Sequence, residues 1–160
     1  MMPKEHCYRI TNTWTGNLGS GTSGYRNYSR NHEFSGESKN AVIQGSSDPM
    51  FRGDPLRYSP EELLVASLSA CHMLWILHLC ADAGIVIIDY RDEATGTMIE
   101  NDEGGGHFTR VTLHPHMTIM DPARVEEAES LHSKAHSLCF IANSVNFPVE
   151  HQVTVNLLCP

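Results

Sequence analysis

The chain has 160 residues, 41% of them hydrophobic and 19% charged, enough to bury one core and too apolar for a disordered segment. Its formal net charge is -8, from 11 Lys and Arg against 19 Asp and Glu, and no basic stripe interrupts that balance. Nucleic acid and an anionic membrane surface are therefore excluded as expected partners.

Tyr8 to Thr15 alternates and carries aromatic and β-branched residues, which predicts an edge strand. "GNLGSGTSGY" is a Gly- and Ser-rich loop, a second strand is expected around Tyr28 to Phe34, and "KNAVIQG" reads as a third. "SSDPMFRGDPLRYSP" is a connection with two Asp-Pro steps. Ser59, Pro60 and Glu62 then form a capping box with proline at the first helical position, opening a helix that runs to about Ala83 and stops at Gly84. That helix is apolar nearly all round, which predicts a central helix covered on several sides. Leu63 to Ala81 is long enough to span a membrane, but it contains Ser67, Ser69, His72 and His78 and is flanked by Glu61, Glu62 and Asp82, so a helix in a soluble core is expected.

"IVIIDYRDEATGTMIE" predicts one strand, "NDEGGG" a hairpin loop, and "HFTRVTLHPHMTIM" the returning strand. "DPARVEEAESLHSKAHSLC" predicts a second helix with Asp121 as cap and Pro122 at its first position, and "PVEHQVTVNLL" a final strand. Three strands, helix, two strands, helix, strand is the pattern of an α+β fold, expected as a single domain over residues 1–160.

The five cysteines are Cys7, Cys71, Cys80, Cys139 and Cys159. Their odd number, and the absence of an apolar leader after Lys4, argue against a disulfide framework and for a reducing cytoplasm. His132, His136 and Cys139 share a helix face at i, i+4 and i+7, and Cys71 or His72 would complete a zinc set; solvated histidines on a polar face are the plainer explanation of the same spacing. Cys71 is either a packing residue or a reactive thiol. Reactivity needs a nearby cation, for which Arg26, Arg30, Arg52 and Arg57 are candidates, and a second thiol, for which Cys139 qualifies if the helices pack together. Cys7, Cys80 and Cys159 read as structural or terminal thiols.

"SPEELLVASLSACH" and the distant "AHSLCFIANSVNFPV" resemble the OsmC/Ohr family, the osmotically inducible and organic-hydroperoxide-resistance proteins. The resemblance covers nearly the whole chain. It implies an OsmC-like fold, with antiparallel sheets around a long central helix. It further implies a thiol-dependent peroxidase for alkyl or fatty-acyl hydroperoxides, serving oxidative-stress defence without metal or other cofactor. Cys71 would be the peroxidatic thiolate and Cys139 its resolving partner, with Glu61 and an arginine assisting and an external dithiol, lipoylated in some relatives, as reductant. The Gly-Gly-Arg loop of Ohr-type relatives is replaced here by "GNLGSGTSGYRNYSRNHEF", which leaves Arg30 as first choice, Arg26 second, and Arg52 possible. Phe140 stands where many relatives have proline.

Ten helical residues span about 15 Å, so Glu61 cannot reach Cys71 of its own helix. An intertwined homodimer with antiparallel central helices is the expected solution. An apolar pocket lined by Leu68, Met73, Leu74, Trp75 and Phe140 or Phe147 is expected beside the thiol. Two alternatives remain: a non-catalytic protein binding a small apolar ligand on the same scaffold, and a zinc protein using Cys71, His132, His136 and Cys139.

Overall fold

The computed structural model describes residues 4–158, so Cys159 lies outside the described residues. The contacts fall into two compact units, one ending at Leu63 and one beginning at Leu64, which are taken in turn.

In the first unit, β1 (Thr11–Trp14), β2 (His32–Ser35) and β3 (Ile43–Gly45) form an antiparallel sheet in the order β1-β2-β3. Trp14 pairs with His32, and His32 with Gly45. A Cβ at Gly45 would sit 2.4 Å from His32 Nε2, so only glycine fits beneath that ring. The second strand begins at His32 and not near Tyr28 as expected. The reason is Arg30: its guanidinium donates to the carbonyls of Tyr25 and Tyr28, both at 2.8 Å, and stacks on both tyrosine rings, which holds residues 25–30 in turns.

The capping box forms as the sequence predicts. Ser59 N donates to Glu62 Oε2 at 2.8 Å, Glu62 N donates to Ser59 Oγ at 3.2 Å, and α1 (Pro60–Asp82) follows. At its far end Gly84 takes φ +72°, its N–H bonds Ala81 O, and Ile85 N bonds Cys80 O, a Schellman ending.

In the second unit each long strand expected from the sequence is two. β4 (Ile87–Asp92) and β5 (Thr95–Glu100) replace the first, β6 (Gly106–Leu113) and β7 (Pro115–Ile119) the second, and β8 (Val149–His151) and β9 (Thr154–Leu157) the last. The pieces join different sheets, ordered β4-β7-β9 and β5-β6-β8. Pro115 has no N–H for a continuous ladder. Asp92 completes the corner, with Oδ1 accepting the His114 N–H at 2.7 Å and Oδ2 accepting the Ser69 hydroxyl of α1. β4 and β5 pair antiparallel with β7 and β6, whereas β8 and β9 add in parallel. Asp121 caps a short 3₁₀ turn that runs into α2 (Val125–Leu138).

The architecture is α+β, as the element pattern predicts. Two apolar clusters match the two sheets. Leu68 packs with Val111, Leu113, Phe108 and Phe147, while Ile76, Leu79 and Cys80 pack with Ile85, Met117, Ile119 and the alanines of α2.

Candidate active site

Cys71 lies mid-way along α1, and Cys139 caps the end of α2. Packing of the two helices brings the Cys71 side chain against the Cys139 thiol. Both are free, as are Cys7 and Cys80. Cys139 is 1% exposed, and its Sγ accepts the Ala142 N–H at 3.4 Å. Burial, and next the contact with Cys71, push its pKa up to about 11, so at neutral pH it is a thiol. Cys80 is a core residue, also raised to about 11 by burial first and then by the Glu127 charge.

Beside Cys71 is a cavity of 310 Å³ walled by Leu74, Trp75, His78 and Phe140. Trp75 meets both the Phe140 and His78 rings edge-on, with centroids 5.9 and 5.8 Å apart. Of the other expected lining residues, Leu68 and Phe147 belong instead to the core cluster on β6. Met73 is half-buried and not among the walls.

The sequence grouped His132 and His136 with His72 only as metal ligands or solvated side chains; the structure joins them in a buried histidine cluster with His151, which sequence reasoning missed. His72 Nε2 and His132 Nδ1 are 2.9 Å apart in a hydrogen bond, both residues fully buried. His151 of β8 lies 5.5 Å from His72 and 5.7 Å from His136, ring centre to ring centre. Burial, then the charges of His151 and His136, lower the His72 pKa to about 4. Burial, then His72 and His151, lower that of His132 to about 3. The expectation of a solvated polar face on α2 is thus corrected: Ala128, His132 and Ala135 are its buried face. The signal available was the spacing of His72 with Leu68 and Ile76, and of His132 with Ala128 and Ala135.

The remaining expected residues lie in the first unit. Glu61 stands in the first turn of α1 with a buried Oε2 that has no hydrogen-bond partner. Arg30 is committed to its own loop as described. Arg57 pairs with Asp54 at 3.6 Å and reaches His32 O at 3.4 Å, and Arg26 and Arg52 are exposed.

The model of the OsmC-like protein family matches residues 53–154. The chain belongs to the OsmC-like family. The matched span holds Glu61, Cys71 and Cys139 and begins after Arg30. An OsmC-like protein of unknown function from Vibrio cholerae is 29% identical with a TM-score of 0.82, covering 94% of this chain and 100% of its own. Two solved organic hydroperoxide resistance proteins share the fold. That of Elizabethkingia anophelis is 22% identical (TM-score 0.66, covering 97% and 100%), and that of Legionella pneumophila 20% (0.62, covering 95% and 99%). Among curated protein sequences none matches.

In this OsmC-like chain the zinc set does not assemble. His132 turns to His72, and among the described residues no group of three or more His, Cys, Asp or Glu is placed to hold a metal ion. The central helix is also covered less than expected. Its buried face runs Leu68, His72, Ile76 and Leu79, whereas Ala66, Ala70, Leu74, Leu77 and Ala81 form an exposed apolar stripe at helical spacing. Among the described residues α1 is the one helix long and apolar enough to cross a membrane, and 28% of its most apolar 18 residues are buried.

Proposed function

We propose that the chain is a two-cysteine peroxidase that reduces organic hydroperoxides in oxidative-stress defence. The observation that carries this reading is Cys71 at an apolar cavity with Cys139 against it. The Cys71 thiolate attacks the distal peroxide oxygen, the O–O bond breaks, and the alkoxide takes a proton to leave as alcohol. Cys71 is left as a sulfenic acid. The Cys139 sulfur then displaces hydroxide, its own proton going to the leaving group as water, and a Cys71–Cys139 disulfide forms. An external dithiol, such as a lipoylated protein in a reducing cytoplasm, returns both thiols. Walls of leucine and aromatic rings favour a bulky organic peroxide over hydrogen peroxide.

The site is completed by a second copy of the chain. The exposed stripe of α1 offers a surface for antiparallel helix pairing, and the roughly 15 Å between Glu61 and Cys71 along one helix suits a carboxylate acting on the partner's thiol. Arg30 is the assisting cation, held rigid by its tyrosine rings. Light scattering at micromolar concentration is expected to give a dimer; a monomer removes this arrangement.

One stoichiometric dose of cumene hydroperoxide is expected to lower the mass by two hydrogens, with the bridge mapped to Cys71 and Cys139. Cys71→Ser should abolish peroxide consumption, and retained activity in that variant overturns the reading. A second reading, a binding protein for a small apolar ligand, draws on the buried protonated Cys139 and on the commitment of Arg30 to its loop. It predicts ligand retention in the cavity with no change in mass.

A further inference from the structure

Helices α1 and α2 touch through polar groups at two places. One is the thiol contact, Cys71 against Cys139. The other is the bond between His72 and His132. On α1 these points are adjacent residues; on α2 they are seven residues, about 10.5 Å, apart. Two pins at that spacing set the register of one helix on the other. We propose that His72 and His132 are positioning residues for the thiol pair: their single N–H···N bond holds Cys71 beside Cys139, and protonation of both rings, which leaves no lone pair between them, releases it. This deepens the two-cysteine reading and rests on it.

The chemistry of the bond makes it sensitive to protonation. A neutral imidazole has one donor and one acceptor nitrogen, and an imidazolium has two donors. Nε2 of His72 and Nδ1 of His132 bond only while one of them keeps its lone pair. The groups facing the pair are His72 from α1, His132 and His136 from α2, and His151 from β8. The charges acting on the pair come from those histidines and include no carboxylate. His72 Nδ1 and His132 Nε2 are buried without partners, so an added proton finds no acceptor there. Both pKa values lie well below the usual histidine range, which keeps the pin closed at neutral pH.

The test uses 4,4′-dithiodipyridine, which reacts with thiols in acid as well as at neutral pH. One thiol displaces a thiopyridone to give a mixed disulfide. The second thiol displaces the other thiopyridone to close the bridge; two electrons pass to the reagent and two thiol protons leave on its halves. In a Cys7→Ser/Cys159→Ser background the second displacement times the closure, and peptide mapping places the bridge at Cys71–Cys139. Losing one neutral hydrogen bond predicts closure roughly three- to tenfold slower in His132→Ala and His72→Ala at neutral pH. His132→Gln, which restores a donor and an acceptor, should return to near the parent rate and lack the parent's additional slowing in acid. The inference is overturned if both alanine variants close at the parent rate, or if the parent and His132→Gln share one pH profile. Should the alanine variants not fold, ¹⁵N imidazole spectra of the parent decide: one proton bridging the two rings is expected, and rings protonated only on their outer nitrogens overturn it. Peroxide is absent from this assay. A chain that closes the bridge here yet ignores hydroperoxide loses the peroxidase reading and keeps the pin.

Discussion

Cys71 and Cys139 sit in unlike surroundings, which under the proposed peroxidase reading suit them to unlike tasks. Cys71 faces the cavity between Leu74 and Trp75, where a peroxide can arrive, whereas Cys139 is sealed at the end of α2 with its pKa up at about 11. A buried protonated thiol is a poor first nucleophile, but it is well placed to attack a sulfenic acid in contact with it. Cys139→Ser should therefore consume one equivalent of cumene hydroperoxide and stop, with a dimedone adduct mapping to Cys71. Continued turnover with thioredoxin-type or lipoyl dithiols would instead assign resolution to the reductant itself. This pairing was legible because each cysteine carried a local motif, "SPEEL" ten residues upstream of one and "AHSLC" around the other. The direct His72–His132 bond and the neighbouring His151 were not legible: spacing alone grouped these histidines as metal ligands or a solvated face, and nothing local links residues sixty positions apart into a buried pair.

At the level of elements, the ends of α1 show what local chemistry can specify. The Ser59–Glu62 box and the left-handed Gly84 were both readable because every bond in them lies within a few residues. Ser59→Ala should cost about 1 kcal/mol of unfolding free energy in urea titration. Gly84→Ala should cost about 1–2 kcal/mol, because alanine disfavours the positive φ even though open space surrounds the site. The strands were less legible. Pro115 signals a break within its own run, but the matching breaks after Asp92 and after His151 depend on side-chain bonds to Ser69 and His114 and on which strand lies alongside. Alternation reports which face is buried, and it does not report a change of sheet.

For the molecule as a whole, acid is the natural stress. His72 and His132 have folded-state values of about 4 and 3 against an unfolded value near 6.5, and His151 is lowered too, by burial first and then by His136. A depressed value means that the unfolded chain takes up these protons first as pH falls. Their contribution to stability is thus complete above about pH 6.5 and is lost progressively towards pH 3–4. The thermal midpoint should drop between pH 7 and pH 5, and a His72→Gln/His132→Gln chain should show a shallower drop; equal slopes would place the acid sensitivity elsewhere. The late position of β8 and β9 in the chain carries a last consequence, for the order of folding. Val149–His151 and Thr154–Leu157 each supply the third strand of a sheet, pairing across 38 residues from Val111 and Met117. A two-stranded ribbon is marginal in water. Neither sheet reaches three strands until Val149–Leu157 is in place, so the second unit is expected to fold only once that segment is available, with the apolar helix waiting for its cover until then.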